Sequence, residues 1–284
     1  MLHRQFINHD KTMNKNALWL TWVCQKWGRI VDLSIWNTIE HYRKFEHSYF
    51  KIPTFGMPKT VGSNFTKTLT MTDWYRRKTW TKTDEEEYFA KLGRARKDGR
   101  AQYLRVQAIE LIETKENNLL SVAETLLNRI LTEYPENRIE KSQTYNSLGE
   151  IYKLREDYET ALEYFQKSLD FEKEFPNVTT TAYLNFSETV VRAEKTKLYD
   201  EVANLLTEKF SKDTLKFPIQ NYIMYSVMTV ISEFKGDIEQ AKIYADLAEK
   251  NATAQTNSLW NPQKKKFGVV KDRIKWLDKL VGRK

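Results

Sequence analysis

Between Ser142 and Pro176 the apolar residues fall on two successive stripes of helical period. Tyr145, Leu148, Gly149 and Tyr152 recur at i, i+3, i+4 and i+7, and after "REDY" a second face carries Ala161, Leu162, Phe165 and Leu169. Two amphipathic helices joined by a tight turn make an αα-hairpin, with Gly149 and Ala161 as the small residues that let the helices approach closely. Weaker copies flank this unit. "AQYLRVQAIELIE" followed by "LLSVAETLLNRILTEYP" puts Ala123, Leu127, Ile130 and Pro135 on second-helix positions. "FSETVVRAEKTKLYDEVANLLTEKF" aligns Phe186 with Tyr145, Tyr199 with Tyr158, Val202 with Ala161 and Leu206 with Phe165. "YSVMTVISEFKGDIEQAKIYADLAEKNA" supplies the turn "KGD" and then Ala241, Ala245 and Ala248. Positions 123, 161, 202 and 241 are 38, 41 and 39 residues apart, and Pro135, Pro176, Pro218 and Pro262 are 41, 42 and 44 apart. A period of this size predicts an all-α array of about four helical hairpins.

The Ser142–Pro176 unit resembles a tetratricopeptide repeat, whose pattern has an aromatic, Leu-Gly and Tyr on the first helix, and Ala, Phe, Ala and a terminal Pro on the second. Tyr145, Leu148, Gly149, Tyr152, Ala161 and Phe165 match, Ser168 stands where Ala is usual, and Pro176 comes about three residues late. The resemblance covers about residues 100 to 255 and implies a solenoid whose first helices line a concave groove. In that register Arg105, Ala108 and Ile112 face the groove from the first repeat, and Gln143, Asn146, Ser147 and Glu150 from the second. Ser187, Glu188 and Val191 follow from the third, and Ser226, Val227 and Val230 from the fourth. The family's clamp for C-terminal carboxylates needs paired cations and Asn; only Arg105 and Asn146 resemble it, while acids stand at 150 and 188.

A solenoid leaves an apolar face at each end, so its terminal elements differ from the interior ones. Residues 71–99 read as an N-terminal cap in which Thr83 and Glu86 make a capping box and Asp84 to Glu87 occupy the first turn, where the helix dipole favours anions. Tyr88, Phe89 and Leu92 face inward, the helix ends near "KDG", and the rings of "DWYRRKTW" cover the end of the array. The repeats occupy 100–260, and 261–284 read as a C-terminal capping helix. Its stripe is Phe267, Val270, Ile274, Leu277 and Val281, with Lys264, Lys271, Lys275 and Lys279 on a basic outer face. Residues 1–70 stand apart as a basic, Trp-rich extension, helical or partly disordered, with a linker-like end rich in Pro, Gly, Ser and Thr. The composition breaks next to Met71, so the functional chain is expected to start there, and the extension is a candidate lid for the groove.

Charge follows the same division. Residues 1–80 carry 13 Lys and Arg against 5 Asp and Glu, residues 260–284 carry 9 against 2, and with a total of +8 the stretch between is net −7. The four His (His3, His9, His41, His47) and the one Cys (Cys24) lie within the first 50 residues. The repeat region therefore lacks the side chains of Cys/His or Ser/His/Asp nucleophile systems and of the usual zinc sites, and it has no phosphate loop or GxGxxG. His41 and His47, six apart, do not share a helix face, so no metal and no cofactor is expected. "ALWLTWVC" is too short to span a bilayer, and a single Cys suits a reducing compartment, so a cytoplasmic location is expected. These features point to a non-enzymatic adaptor that holds a protein or peptide bearing basic and apolar residues in its groove. The second reading is nucleic-acid or anionic-surface binding by the basic, aromatic ends, since "WYRRKTW" and "KKKFGVVKDRIKW" combine cations with stacking rings.

Overall fold

The computed structural model describes residues 74–212, 217–255 and 268–282, and the readings of residues 1–70 lie outside these. Among the described residues the elements are helical throughout. They are α1 (Lys82–Arg94), α2 (Arg100–Ile112), α3 (Asn117–Glu133), α4 (Arg138–Leu154), α5 (Tyr158–Glu174), α6 (Ala182–Arg192), α7 (Tyr199–Lys212), α8 (Pro218–Phe234), α9 (Ile238–Ala252) and α10 (Lys275–Leu280). Four hairpins, α2/α3, α4/α5, α6/α7 and α8/α9, follow one another, and each first helix packs on the first helix of the next hairpin.

The hairpins share one turn. Lys115, Glu156, Glu194 and Gly236 are left-handed, with φ of 60°, 63°, 52° and 79°. Each donates its N–H to the carbonyl three residues back, Ile112, Lys153, Val191 and Glu233 respectively. In the last three turns the following residue closes a wider ring, from Asp157 to Tyr152, Lys195 to Val190 and Asp237 to Ser232, the bond pair that ends a helix on a left-handed residue. Asp157 and Asp237 then cap the second helices by accepting from the N–H of Thr160 and Gln240.

These turns fix a register that differs from the sequence reading in the third hairpin. A 3-10 turn, Thr196–Leu198, precedes α7, so three extra residues follow the turn and none precede it. The second-helix alignment of Val202 with Ala161 and Leu206 with Phe165 stands, but on the first helix Tyr183, Phe186 and Ser187 take the places of Tyr145, Leu148 and Gly149. Gly149 shows what that last place requires: a methyl group there would overlap the Phe165 ring of the partner helix. Ala108, Ser187 and Thr229 hold the equivalent position in the other hairpins and are wholly buried.

Both terminal readings shift. The N-cap of α1 is Thr81, not Thr83: its hydroxyl accepts the Asp84 N–H at 3.1 Å while the Asp84 carboxylate accepts the Thr81 N–H at 2.9 Å. Asp84 is the stronger box partner because Arg77 and Thr79 donate to it as well. α1 ends at Arg94, and "KDG" forms a separate 3-10 turn. At the other end the only helix among the described residues 268–282 is the six residues of α10, and the readings of Lys264 and Phe267 lie outside the described residues. Residues 268–274 precede it as an irregular strap in which left-handed Gly268 sits against the Phe217 ring, where a side chain would overlap, and gives its carbonyl to the Ile219 N–H at 2.9 Å.

Candidate partner-binding face

The first-helix residues expected to line a groove divide into three groups. Ala108, Ile112, Ser187, Val191 and Val227 are core: all are buried, the first and third at the helix-crossing position and the others within the two main apolar clusters. Gln143, Ser147 and Ser226 are buried too. Arg105, 1% exposed, is not a surface cation; its Nε donates to Glu140 Oε2 at 2.5 Å, making a buried ion pair between α2 and α4. All nine are buried because each first helix packs both on its own partner and on the neighbouring first helices.

Of the remaining four, Glu150 and Val230 are partly exposed while Asn146 and Glu188 are buried at 3% and 7%, and Asn146, Glu150 and Glu188 belong to one polar ladder. From α6, Asn185 Nδ2 donates to Asn146 Oδ1 and to Glu150 Oε1, both at 3.0 Å. Lys153 Nζ donates to Asn185 Oδ1 and to Glu188 Oε2, both at 3.3 Å. Asn146 Nδ2 in turn donates to Thr181 Oγ1 at 3.4 Å. Glu150, Lys153 and Asn185 are partly exposed, so the ladder presents amide and carboxylate groups to solvent while fixing α4 against α6. Sequence reading missed Lys153, Asn185 and Thr181. No glycine marks the left-handed turns at 156 and 194; once those turns are located, counting back from each pairs Glu150 with Glu188 and places α4 beside α6 in register.

The aromatic, basic stretch near the start is turned inward. The rings of Trp74, Tyr75, Trp80, Tyr88, Phe89 and Tyr103 meet at centroid distances of 4.8 to 6.3 Å, several edge to face. Its cations meet carboxylates: Arg76 pairs with Glu110 at 3.0 Å, Arg77 with Asp84 and with Glu87 at 2.6 Å, and Lys78 lies 3.7 Å from Glu110 and 3.6 Å from Glu113. Buried Gln107 clasps the main chain of Arg77, accepting its N–H at 2.9 Å and donating to its carbonyl at 2.6 Å.

Between the turns of the second and third hairpins lies an open hollow of about 400 Å³, lined by Glu156 to Glu159 and Arg192 to Lys195. Arg192 bridges to Glu156 at 3.4 Å and Lys195 to Glu159. Among the described residues no cluster of three His, Cys, Asp or Glu is placed to hold a metal ion, and no helix is long and apolar enough to cross a membrane. Comparison of the chain with family models, curated proteins and solved structures finds no match in any of the three.

Proposed function

We propose that the chain is a non-enzymatic adaptor, a tetratricopeptide-like solenoid that holds a protein or peptide partner against the first helices of its second and third hairpins. The observation that carries this reading is the ladder of Asn146, Glu150, Lys153, Asn185 and Glu188, a preformed row of amides and charges on adjoining helices. Side-chain amides suit the main chain of an extended segment, and the surplus of carboxylates suits a basic one. The repeat region, with neither His nor Cys, lacks the Cys/His and Ser/His/Asp nucleophile systems. A reducing, cytoplasmic setting fits the single Cys.

Nucleic-acid binding by the ends is the second reading, and the ion pairs of Arg76, Arg77 and Lys78 weigh against it, because cations already matched by carboxylates release few phosphate counterions. The test is capture of partners from native lysate on the full chain, with and without nuclease, identified by mass spectrometry. A discrete protein that survives nuclease and is lost on combined Glu150→Lys and Asn185→Ala supports the adaptor, provided circular dichroism is unchanged. Retention by that double variant, or recovery of nucleic acid alone with a steep loss in added salt, overturns it. Val227→Glu is no test of a groove, since Val227 is wholly buried and a carboxylate there disrupts the fold.

A further inference from the structure

The strap formed by residues 268–282 does not simply extend the array. Its tip meets two first helices. Leu277 is wholly buried in the same apolar cluster as Val190, Val191 and Val227, and the Trp276 ring lies against the Arg192 guanidinium of α6, 5.4 Å from its centroid. Tyr222 of α8 anchors it twice, donating its hydroxyl to Asp278 at 3.0 Å and accepting the Ile274 N–H at 3.0 Å. Arg273 adds a two-pronged pair to Glu249 of α9 at 2.6 and 3.1 Å and reaches Asp278 at 2.7 Å.

The covering element is weakly built by itself. α10 has six residues and no side-chain cap, and helices below about 12 residues are marginal alone. Among the described residues its hold on the array is made of the anchors above, the contact of Gly268 with Phe217 and Ile219, and the packing of Val270 and Ile274 against Tyr222, Ala248 and Ala252, all of them non-covalent.

We propose that the strap is an exchangeable, tethered occupant of the face formed by α6, α8 and α9, and that this face takes an amphipathic segment of the strap's own chemistry. The partner carries a cation for Glu249, then, about one turn on, an aromatic-aliphatic pair for Arg192 and the apolar cluster, followed by an acceptor for the Tyr222 hydroxyl. The proposal rests on the adaptor reading for its biological sense but concerns a face beside the α4/α6 ladder. Tethering places the strap at an effective concentration on the order of millimolar, so a free segment of equal intrinsic affinity competes poorly until the strap is weakened.

The test uses the full chain, a Trp276→Ala/Leu277→Ala variant, and a labelled synthetic peptide of residues 268–282 as probe, read by fluorescence anisotropy. The variant is expected to bind the peptide at least tenfold more tightly than the unaltered chain, and to lose that gain when Glu249→Lys and Tyr222→Phe are added. Hydrogen exchange on the unaltered chain supplies an independent reading: amides of 275–281 are expected to exchange at least tenfold faster than those in the middle of α8. Equal peptide affinity for the variant and the unaltered chain, exchange of the strap only at the rate of global unfolding, or failure of the variant to fold each overturn the proposal, since each makes the strap a fixed part of the core. Adding Glu150→Lys leaves peptide binding unchanged, which separates this face from the ladder: partner loss there with peptide binding intact sinks the adaptor reading alone, and the converse sinks this one alone.

Discussion

At the amino-terminal end of the array six aromatic rings interlock, among them the wholly buried Tyr88, and the cations beside them are matched by carboxylates. At the carboxyl-terminal end the last hairpin offers small residues, Ala241, Ala248 and Ala252, and the strap over α8 is held by hydrogen bonds and ion pairs around Tyr222 with Leu277 as its one wholly buried side chain. Rings of this size bury about 150–250 Å² each and gain further from edge-to-face geometry, so the first end is expected to open only with the whole fold. The strap brings no comparable set of rings, and of its polar anchors the Tyr222–Asp278 bond is buried while the Arg273–Glu249 pair is open to solvent, so on the proposal above the second end is expected to open locally. The same task, covering a terminal apolar face, is met by a permanent cap at one end and a releasable one at the other.

The largest expected effect breaks the first cap. Tyr88→Ala should cost about 3–5 kcal/mol of global stability in urea unfolding, as for other large ring deletions, whereas Leu277→Ala should leave the urea midpoint of an α8 reporter nearly in place. Equal losses at both ends would remove the contrast. Gly149→Ala, which drives a methyl into the Phe165 ring between the ends, should cost about 1–3 kcal/mol by overpacking; a neutral result would mean that α4 and α5 are free to move apart.

Tyr88→Phe should act in the opposite direction. The Tyr88 hydroxyl is buried and makes no hydrogen bond among the described residues, so removing it should stabilise the chain by about 1 kcal/mol, visible as a raised melting temperature. The turns predict smaller, paired changes: Glu156→Gly should stabilise by about 0.5–1 kcal/mol because the left-handed region disfavours a Cβ, and Gly236→Ala should destabilise by about 1 kcal/mol for the same reason. The smallest effect belongs to pH. The N–H of Thr81 first, then its hydroxyl and Arg77, hold the Asp84 carboxyl at about 2, below an unfolded value of about 3.9. A depressed carboxylate contributes fully above that unfolded value and loses its contribution as pH falls toward 2. Urea midpoints measured from pH 5 down to 2 should therefore decline less steeply in Asp84→Asn than in the unaltered chain.

The hairpins were legible because buried positions repeat at helical spacing in "YNSLGEIY" and "ALEYFQKSL", and Gly149 announces a close crossing that Phe165 confirms. Which first-helix residues are buried was not, because it depends on where the turn falls. The residues Glu156 and Glu194 take a left-handed shape without the glycine that would mark it, and only "KGD" in the fourth hairpin shows the turn outright. Three residues placed after the third turn then moved Ser187 from an apparent groove position to the helix crossing. Arg105 was misread for a different reason: its partner Glu140 lies 35 residues away, and no local pattern announces a buried pair between hairpins.

The clasp of Gln107 on residue 77 works through peptide atoms alone. The two positions are thus under unequal constraint in descent: residue 77 is free to change its side chain at the price of its ion pairs, while residue 107 is bound to keep an amide of that length. Variation among descendants of this chain should accumulate on the segment being held and spare the residue that holds it, giving a drifting surface over an unchanging joint.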